Sequence, residues 1–256
     1  MGERVIAVVP AAGLGKRLGP GTNKPFYTVL GRPLIVWTLE ALDRIDEISE
    51  IIPVIKEEDM ELAAREFDRK RFSKIKRIAP GGRERQDSVY NGLRLLEREE
   101  TIVLIHDGVR PLVDGRIVRD ALASLGGFDG VVPAVPVKDT IKETETCRDR
   151  SGSSRTRAGG GKRETAWYTV RRTLNRDSLW AVQTPQVFRL ASIMRAYDLA
   201  MAEQFYATDD SALIERAGGK VRVIEGSYTN IKITTPEDIP LAECLLRRAQ
   251  GDIAAP

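Results

Sequence analysis

Short runs of consecutive apolar residues alternate along the chain with stretches in which apolar positions recur every three or four residues. The runs predict strands over residues 4–10, 51–56, 74–79, 102–106, 130–134, 221–225 and 230–234. Several are continuous rather than alternating, as strands covered on both faces require. The helical spacing predicts helices over 33–45, 59–72, 85–97, 116–125, 189–203, 209–217 and 236–248. The third carries Val89, Leu93 and Leu96 on one face, and Pro33 and Pro236 suit first helical positions. Strands alternating with helices through short connections imply an α/β fold with a doubly wound, mainly parallel sheet. Ligands of such sheets bind beyond the carboxyl ends of the strands.

One stretch breaks this rhythm. From Lys138 to Arg172 the helical spacing is lost, while Thr165-Ala166-Trp167-Tyr168-Thr169-Val170 is rich in strand formers. The pattern predicts a projecting β-hairpin whose tip, 147–164, is dominated by glycine, serine and arginine. The chain is therefore expected to be a single domain over 1–256 with an arm inserted at 138–172. A lone hairpin is marginally stable. The simplest cover for it is the arm of a second copy, so the arm predicts a homodimer.

Composition narrows the function. Hydrophobic residues make up 42% of the chain and charged residues 30%, enough for a large core under a charged surface. The net charge of +3, from 40 basic and 37 acidic side chains, is too small for nucleic acid as the main ligand. Cys147 and Cys244 are the only cysteines and stand in unrelated contexts, which excludes a disulfide framework and a four-thiolate metal site. No apolar run is long enough to cross a membrane, and Val5 to Val9 is cut off by Pro10. A cytoplasmic location is expected.

The first predicted strand runs into Pro10-Ala11-Ala12-Gly13-Leu14-Gly15-Lys16-Arg17-Leu18-Gly19. Small residues after a strand let backbone N–H groups approach phosphates, although a simple tight turn has the same composition. The loop is not a P-loop, because Arg17 stands where serine or threonine is required, and its glycine spacing misses the dinucleotide fingerprint. Arg17 and Lys24 add two cations beside the glycines, which suits a triphosphate and the charge of phosphoryl transfer. His106 ends a buried strand and is expected to be structural. Asp107, one residue later, and Lys232, a charge within an apolar run, are better functional candidates. The arginines of the arm tip are expected to be solvated surface.

The loop and Lys24-Pro25-Phe26 resemble the signature of sugar nucleotidyltransferases. Four further segments occur in the same order: Gly81-Gly82-Arg83-Glu84-Arg85-Gln86-Asp87-Ser88-Val89, Ile105-His106-Asp107-Gly108-Val109-Arg110-Pro111, Thr184-Pro185-Gln186, and Asn230-Ile231-Lys232-Ile233-Thr234-Thr235-Pro236-Glu237-Asp238. Together they resemble the 2-C-methyl-D-erythritol 4-phosphate cytidylyltransferase family of isoprenoid biosynthesis. The resemblance implies a Rossmann-like nucleotidyltransferase fold and transfer of CMP from CTP to a polyol phosphate. It assigns Ala11, Ala12, Gly13, Leu14 and Gly15 to the nucleotide and its Mg²⁺, and Arg17 and Lys24 to the transition state. Gly82 and Ser88 would receive the cytosine. Asp107 and Arg110 would lie near the sugar phosphate, with Asp107 also reaching Mg²⁺ through water. Lys232, Arg176, Thr140 and Thr184 would bind the acceptor, Thr140 and Arg176 reaching from the arm into a neighbouring subunit. The sequence departs from the family in Asn23-Lys24-Pro25, in Gly108-Val109 and in the length of the arm. Gly108-Val109 leans toward the sister ribitol-5-phosphate cytidylyltransferases. A nucleotide-binding regulator without turnover is the other alternative, against which Arg17 and Lys24 both argue.

Overall fold

The computed structural model describes residues 3–13, 23–68, 70–97, 101–147 and 167–251. The chain divides into two compact units, Met1–Ala134 with Val182–Pro256, and Val135–Ala181. In chain order the first half contains β1 (Arg4–Pro10), β2 (Thr28–Val29), β3 (Arg32–Pro33), α1 (Leu34–Asp43) and β4 (Glu50–Ile55). There follow α2 (Met60–Glu66), β5 (Ala79–Pro80), α3 (Arg85–Leu93), β6 (Thr101–Ile105) and α4 (Gly115–Ala123). The second half contains β7 (Gly130–Pro136), β8 (Lys142–Cys147), β9 (Trp167–Thr173), β10 (Trp180–Val182) and β11 (Gln186–Arg189). The chain finishes with α5 (Leu190–Ala202), α6 (Ser211–Arg216), β12 (Val221–Glu225) and α7 (Asp238–Ala249).

The sheet of the larger unit runs β7-β11-β6-β1-β4-β5, with β12 also paired to β7. β1 lies parallel between β4 and β6, whereas β11 is antiparallel to both of its neighbours. This is the mainly parallel α/β sheet that the apolar runs predict. Val5, Ala7 and Val9 pack on one face with Ile35, Leu39 and Leu42 of α1 and Val118 of α4. Ile6 and Val8 pack on the other with Val89 and Leu93 of α3, Ile193 and Tyr197 of α5 and Leu213 of α6. Burial of each such aliphatic side chain stabilises the fold by about 1.5–3 kcal/mol, so two-sided cover rewards an unbroken apolar run. Gly92 lets α3 approach closely: a Cβ there would come within 2.6 Å of Val8 Cγ1 and 3.1 Å of Val54 Cγ2. That approach puts the start of α3 beside the ends of β1 and β6.

Two predicted strands differ. In segment 74–79 only the Ile51–Ile75 bridge and the two residues of β5 pair, and Arg77 between them turns its guanidinium to Glu50 and to the carbonyl of Leu95. Segment 230–234 is not a strand. Its Ile233 is buried and donates one backbone bond to Val109 O (3.0 Å), while Asp238 takes the N–H groups of Thr234 and Thr235. β11 is not foreseen by the sequence pattern, being four residues long and opening on the polar Gln186. Several helices are also shorter than their apolar spacing suggests, α2 ending at Glu66. Among the described residues no helix is long and apolar enough to cross a membrane.

The smaller unit holds the hairpin. β8 and β9 pair antiparallel from Lys142–Thr173 to Cys147–Trp167, with an irregularity between Glu143 and Thr144. At its base Leu174 N–H donates to Ile141 O (3.0 Å) and Val137 N–H to Leu179 O (3.1 Å). Every residue of β9 is exposed, including Trp167 and Tyr168. The arm tip, 148–166, lies outside the described residues.

Candidate active site

Three loops meet at the carboxyl ends of β1, β4 and β6. Ala11 N–H donates to Val54 O (2.9 Å), Gly81 N–H to Ile55 O (2.7 Å) and Gly108 N–H to Pro10 O (3.2 Å). The glycines follow from this crowding. A Cβ on Gly81 would fall on Ala12 Cβ, one on Gly82 would fall on Asp87 Cβ, and one on Gly108 would lie 2.9 Å from Ala11 Cβ. Gly108 thus stands where a Cβ would press on the loop after β1. Val109 is buried with Val29, Leu34, Trp37 and Ile233. At Gly13, by contrast, a Cβ would meet no described atom within 4 Å. Ser88 on α3 shapes the second loop: its hydroxyl accepts from Gly82 N–H (3.0 Å) and donates to Glu84 O (3.0 Å). One oxygen lone pair remains.

Asp107 stands at the centre, buried just past β6. Lys232 Nζ lies 2.9 Å from Oδ2, Arg110 Nε 3.4 Å from the same oxygen, and Arg85 Nε 3.2 Å from Oδ1. A turn closed by Arg110 N–H on Asp107 O (3.1 Å) sets Arg110 beside the carboxylate. Burial alone would raise the Asp107 pKa, but Arg85, Lys232 and Arg110 outweigh it and hold the group well below the usual carboxylate range. Arg110 is itself pulled below its ordinary value by burial, which Asp107 only partly offsets.

A polar layer fixes this centre from beneath. Thr184 Oγ1 accepts from Asp107 N–H (3.1 Å) and lies 3.0 Å from His106 Nδ1, while His106 Nε2 lies 3.0 Å from Arg110 O. The carbonyl needs a donor, so the proton sits on Nε2, and the threonine hydroxyl donates to Nδ1. Burial lowers the His106 pKa to about 4, so the ring is neutral near pH 7. Asn230 Nδ2 donates to Thr184 O (2.7 Å), and Asn230 O accepts from Arg110 Nη1 (2.8 Å). Segment 230–234 thereby carries Lys232 to Asp107.

Two cavities open at this centre. One, of about 420 Å³, is bordered by Ala11, Ala12, Gly13, Lys24, Gly82 and Ser88. The other, of about 330 Å³, is bordered by Arg110, Gln183, Thr184 and Gln186. They share Arg85, Asp107 and Lys232 as a common wall. Such volumes suit small ligands.

The structure thus gathers Ala11, Ala12, Gly13, Lys24, Gly82, Ser88, Asp107, Arg110, Thr184 and Lys232 about one site. Leu14, Gly15 and Arg17 lie outside the described residues. Thr140 and Arg176 belong to the smaller unit, where both are exposed and Arg176 Nη1 donates to Lys138 O (2.8 Å). Lys24 opens a short 3₁₀ turn, Lys24–Phe26, in which Pro25 occupies a first-turn position where its missing N–H costs nothing. Sequence reasoning missed Asn230 and Arg85, whose guanidinium also holds the buried Asp210 (2.7 Å). Arg85 was visible only as one charge in a motif, and nothing in the spacing ties it to Asp210. Among the described residues no three carboxylate, histidine or cysteine side chains gather as a metal cage. Three cations already surround the Asp107 carboxylate, which disfavours direct ligation of Mg²⁺, whereas contact through water leaves those ion pairs in place.

A model of the 2-C-methyl-D-erythritol 4-phosphate cytidylyltransferase family matches residues 5–157 and 161–248. The enzyme of that name from Geobacter metallireducens is 40% identical over 247 residues, 95% of this chain and 97% of the relative. That from Geobacillus thermodenitrificans is 42% identical over 240 residues, covering 94% and 96%. Among solved structures, the 4-diphosphocytidyl-2C-methyl-D-erythritol synthase of Anaerococcus prevotii matches with a TM-score of 0.76 at 33% identity, over 96% of this chain and 97% of that one. The 2-C-methyl-D-erythritol 4-phosphate cytidylyltransferase of Thermus thermophilus matches with a TM-score of 0.70 at 30% identity, covering 95% and 99%. With this site, this fold and these likenesses over nearly its whole length, the chain belongs to the 2-C-methyl-D-erythritol 4-phosphate cytidylyltransferase family.

Proposed function

We propose that this chain transfers CMP from CTP to 2-C-methyl-D-erythritol 4-phosphate, releasing pyrophosphate, with the nucleotide in the larger cavity and the acceptor in the smaller. The observation that carries this placement is the shared cationic wall, where an acceptor phosphate and the CTP α-phosphate would meet. An acceptor phosphate oxygen attacks the α-phosphorus. The bond to the bridging oxygen breaks, and pyrophosphate leaves with the electron pair. The attacking group is already an anion, so no general base is required, which agrees with a neutral, fully engaged His106. Catalysis then rests on positioning and on fixed positive charge. Lys24 faces the triphosphate from the glycine side, Lys232 and Arg110 face the acceptor phosphate, and the family resemblance adds Arg17 to the nucleotide's side.

The remaining lone pair of Ser88 Oγ can accept from the cytosine amino group, where uracil would present an opposing oxygen. Asp107 would hold Mg²⁺ through water, and the ion's chemistry is to neutralise the charge that develops on the leaving pyrophosphate. The exposed Trp167 and Tyr168 support a homodimer through the arm, in which Thr140 and Arg176 would serve a partner's acceptor site. CTP as co-substrate supports a cytoplasmic location.

Pyrophosphate release measured with each nucleotide and acceptor tests the reading. Turnover is expected with CTP and 2-C-methyl-D-erythritol 4-phosphate, and little with UTP, ATP or ribitol 5-phosphate. Equal rates with ATP would displace the base pocket, and a preference for ribitol 5-phosphate would reassign the acceptor.

A further inference from the structure

Arg85, the first residue of α3, borders both cavities of the site and a third of about 420 Å³ between residues 83–86 and 206–210. Its guanidinium has five N–H donors. Nε is spent on Asp107 Oδ1 (3.2 Å), Nη1 on Asp210 Oδ1 (3.1 Å) and Nη2 on Asp210 Oδ2 (2.7 Å). One donor on each terminal nitrogen is left by these three bonds. The arginine side chain keeps 32% of its surface exposed, whereas that of Asp210 keeps 1%. The cation reaches the cavities and its anchor does not.

The anchor is anchored in turn. Tyr197 on α5 is fully buried and donates its hydroxyl to Asp210 Oδ1 (2.5 Å). Its ring lies parallel to that of Tyr90 on α3, with centroids 5.7 Å apart. Burial alone would lower the Arg85 pKa, but Asp210 and Asp107 more than offset it, so the guanidinium keeps its proton. Burying a carboxylate to tie helices together is a costly way to do what apolar contacts do. These helices already share a cluster that includes Val89, Leu93, Ile193 and Leu213. The ionic anchor needs a further reason, and a guanidinium held rigidly at a phosphate site supplies one.

We propose that Arg85 contacts the reacting phosphates at the wall between the two cavities, and that Asp210 and Tyr197 are positioning residues that fix its plane. The proposal rests on the cytidylyltransferase reading for its substrates but not for its geometry. If Asp210 and Tyr197 act through Arg85, their effects must vanish once Arg85 is gone.

The test is a double-mutant cycle on Arg85→Lys, Asp210→Asn and Tyr197→Phe, read by turnover, by calorimetric binding of pyrophosphate and by thermal unfolding. Arg85→Lys keeps the charge and loses the fork, and kcat/KM should fall about a hundredfold. Asp210→Asn should approach that loss, because a misplaced group costs up to about a hundredfold. Tyr197→Phe removes one hydroxyl, keeps the stacked ring, and should cost about tenfold, the worth of a hydrogen bond to a charged group. Pyrophosphate affinity should fall in the same order. In the Arg85→Lys background, Asp210→Asn and Tyr197→Phe should add less than about twofold to either readout. Additive losses, or lowered melting temperatures with unchanged kcat/KM and pyrophosphate affinity, would overturn the proposal. Should Asp210→Asn fail to fold, the Tyr197→Phe arm decides alone. A wild type that binds pyrophosphate but does not turn over would sink the functional reading, and the binding cycle would still decide the relay.

Discussion

Asp107 and His106 are chain neighbours in the same buried layer, and their environments push them in opposite ways. Asp107 has three cations to outweigh its burial and stays ionised. His106 hydrogen-bonds only neutral groups, the charges of Asp107 and Arg110 act on it in opposite directions, and burial keeps it neutral down to about pH 4. The sign of the linkage follows. An unfolded histidine titrates near ~6.5, so as pH falls below that value the unfolded state takes the proton first. The stability that His106 protects is complete above the unfolded pKa and is lost as pH falls toward the folded value of about 4. The whole effect is roughly 3 kcal/mol, with a slope approaching ~1.4 kcal/mol per pH unit. His106 is the only histidine in the chain, so the window between pH 6.5 and 5 belongs to it. Urea unfolding across that window should show this fall, and His106→Gln should flatten it. A wild type with level stability from pH 7.5 to 5 would show that the ring is not held neutral. Asp107, with its pKa depressed, loses its contribution only at lower pH, as the unfolded carboxylates protonate.

At the scale of the element, the loop after β1 separates packing from binding. Gly81, Gly82 and Gly108 are glycines because described atoms leave no room for a Cβ, whereas no described atom crowds Gly13. Gly13→Ala should therefore leave the melting temperature within about 2 °C of wild type, a surface-like effect below ~0.5 kcal/mol. It should raise KM for CTP about tenfold, because the methyl stands where backbone meets phosphate. An unchanged KM would mean that the triphosphate lies elsewhere. The same distinction governs what could be read from the chain. β1, β4 and β6 were legible because burial on both faces demands unbroken apolar runs. β11 was hidden by Gln186, a polar residue buried in a strand because Asp209 accepts from its amide and its carbonyl takes Ser211 N–H. Ile231 and Ile233 imitate a strand's alternation, yet their segment serves to carry Asn230 and Lys232. Asp107 and Lys232 were legible as charges where apolar residues should stand. Asp210 was not, because its grip on Arg85 joins positions 125 residues apart, for which no spacing rule exists.

At the scale of the whole molecule, the arm decides whether one chain is enough. On β9, Trp167 is 64% exposed and Tyr168 69%, and Val170 is exposed beside them. Apolar surface of this kind on a hairpin is the ground for the proposed dimer. Sedimentation should show a dimer at micromolar concentration. Trp167→Ser with Tyr168→Ser should shift it to monomer and raise KM for the acceptor more than for CTP. A fully active monomeric wild type would remove the shared-site arrangement. The position of β11 has another consequence, for the chain as it is made. β11 fills the gap between β6 and β7, both of which leave the ribosome before it. Until Gln186 to Arg189 have emerged, a nascent chain carries two open strand edges facing each other, each a template for a neighbouring chain. The arm is made between β7 and β11, so the sheet closes between β6 and β7 only after the whole arm has left the ribosome.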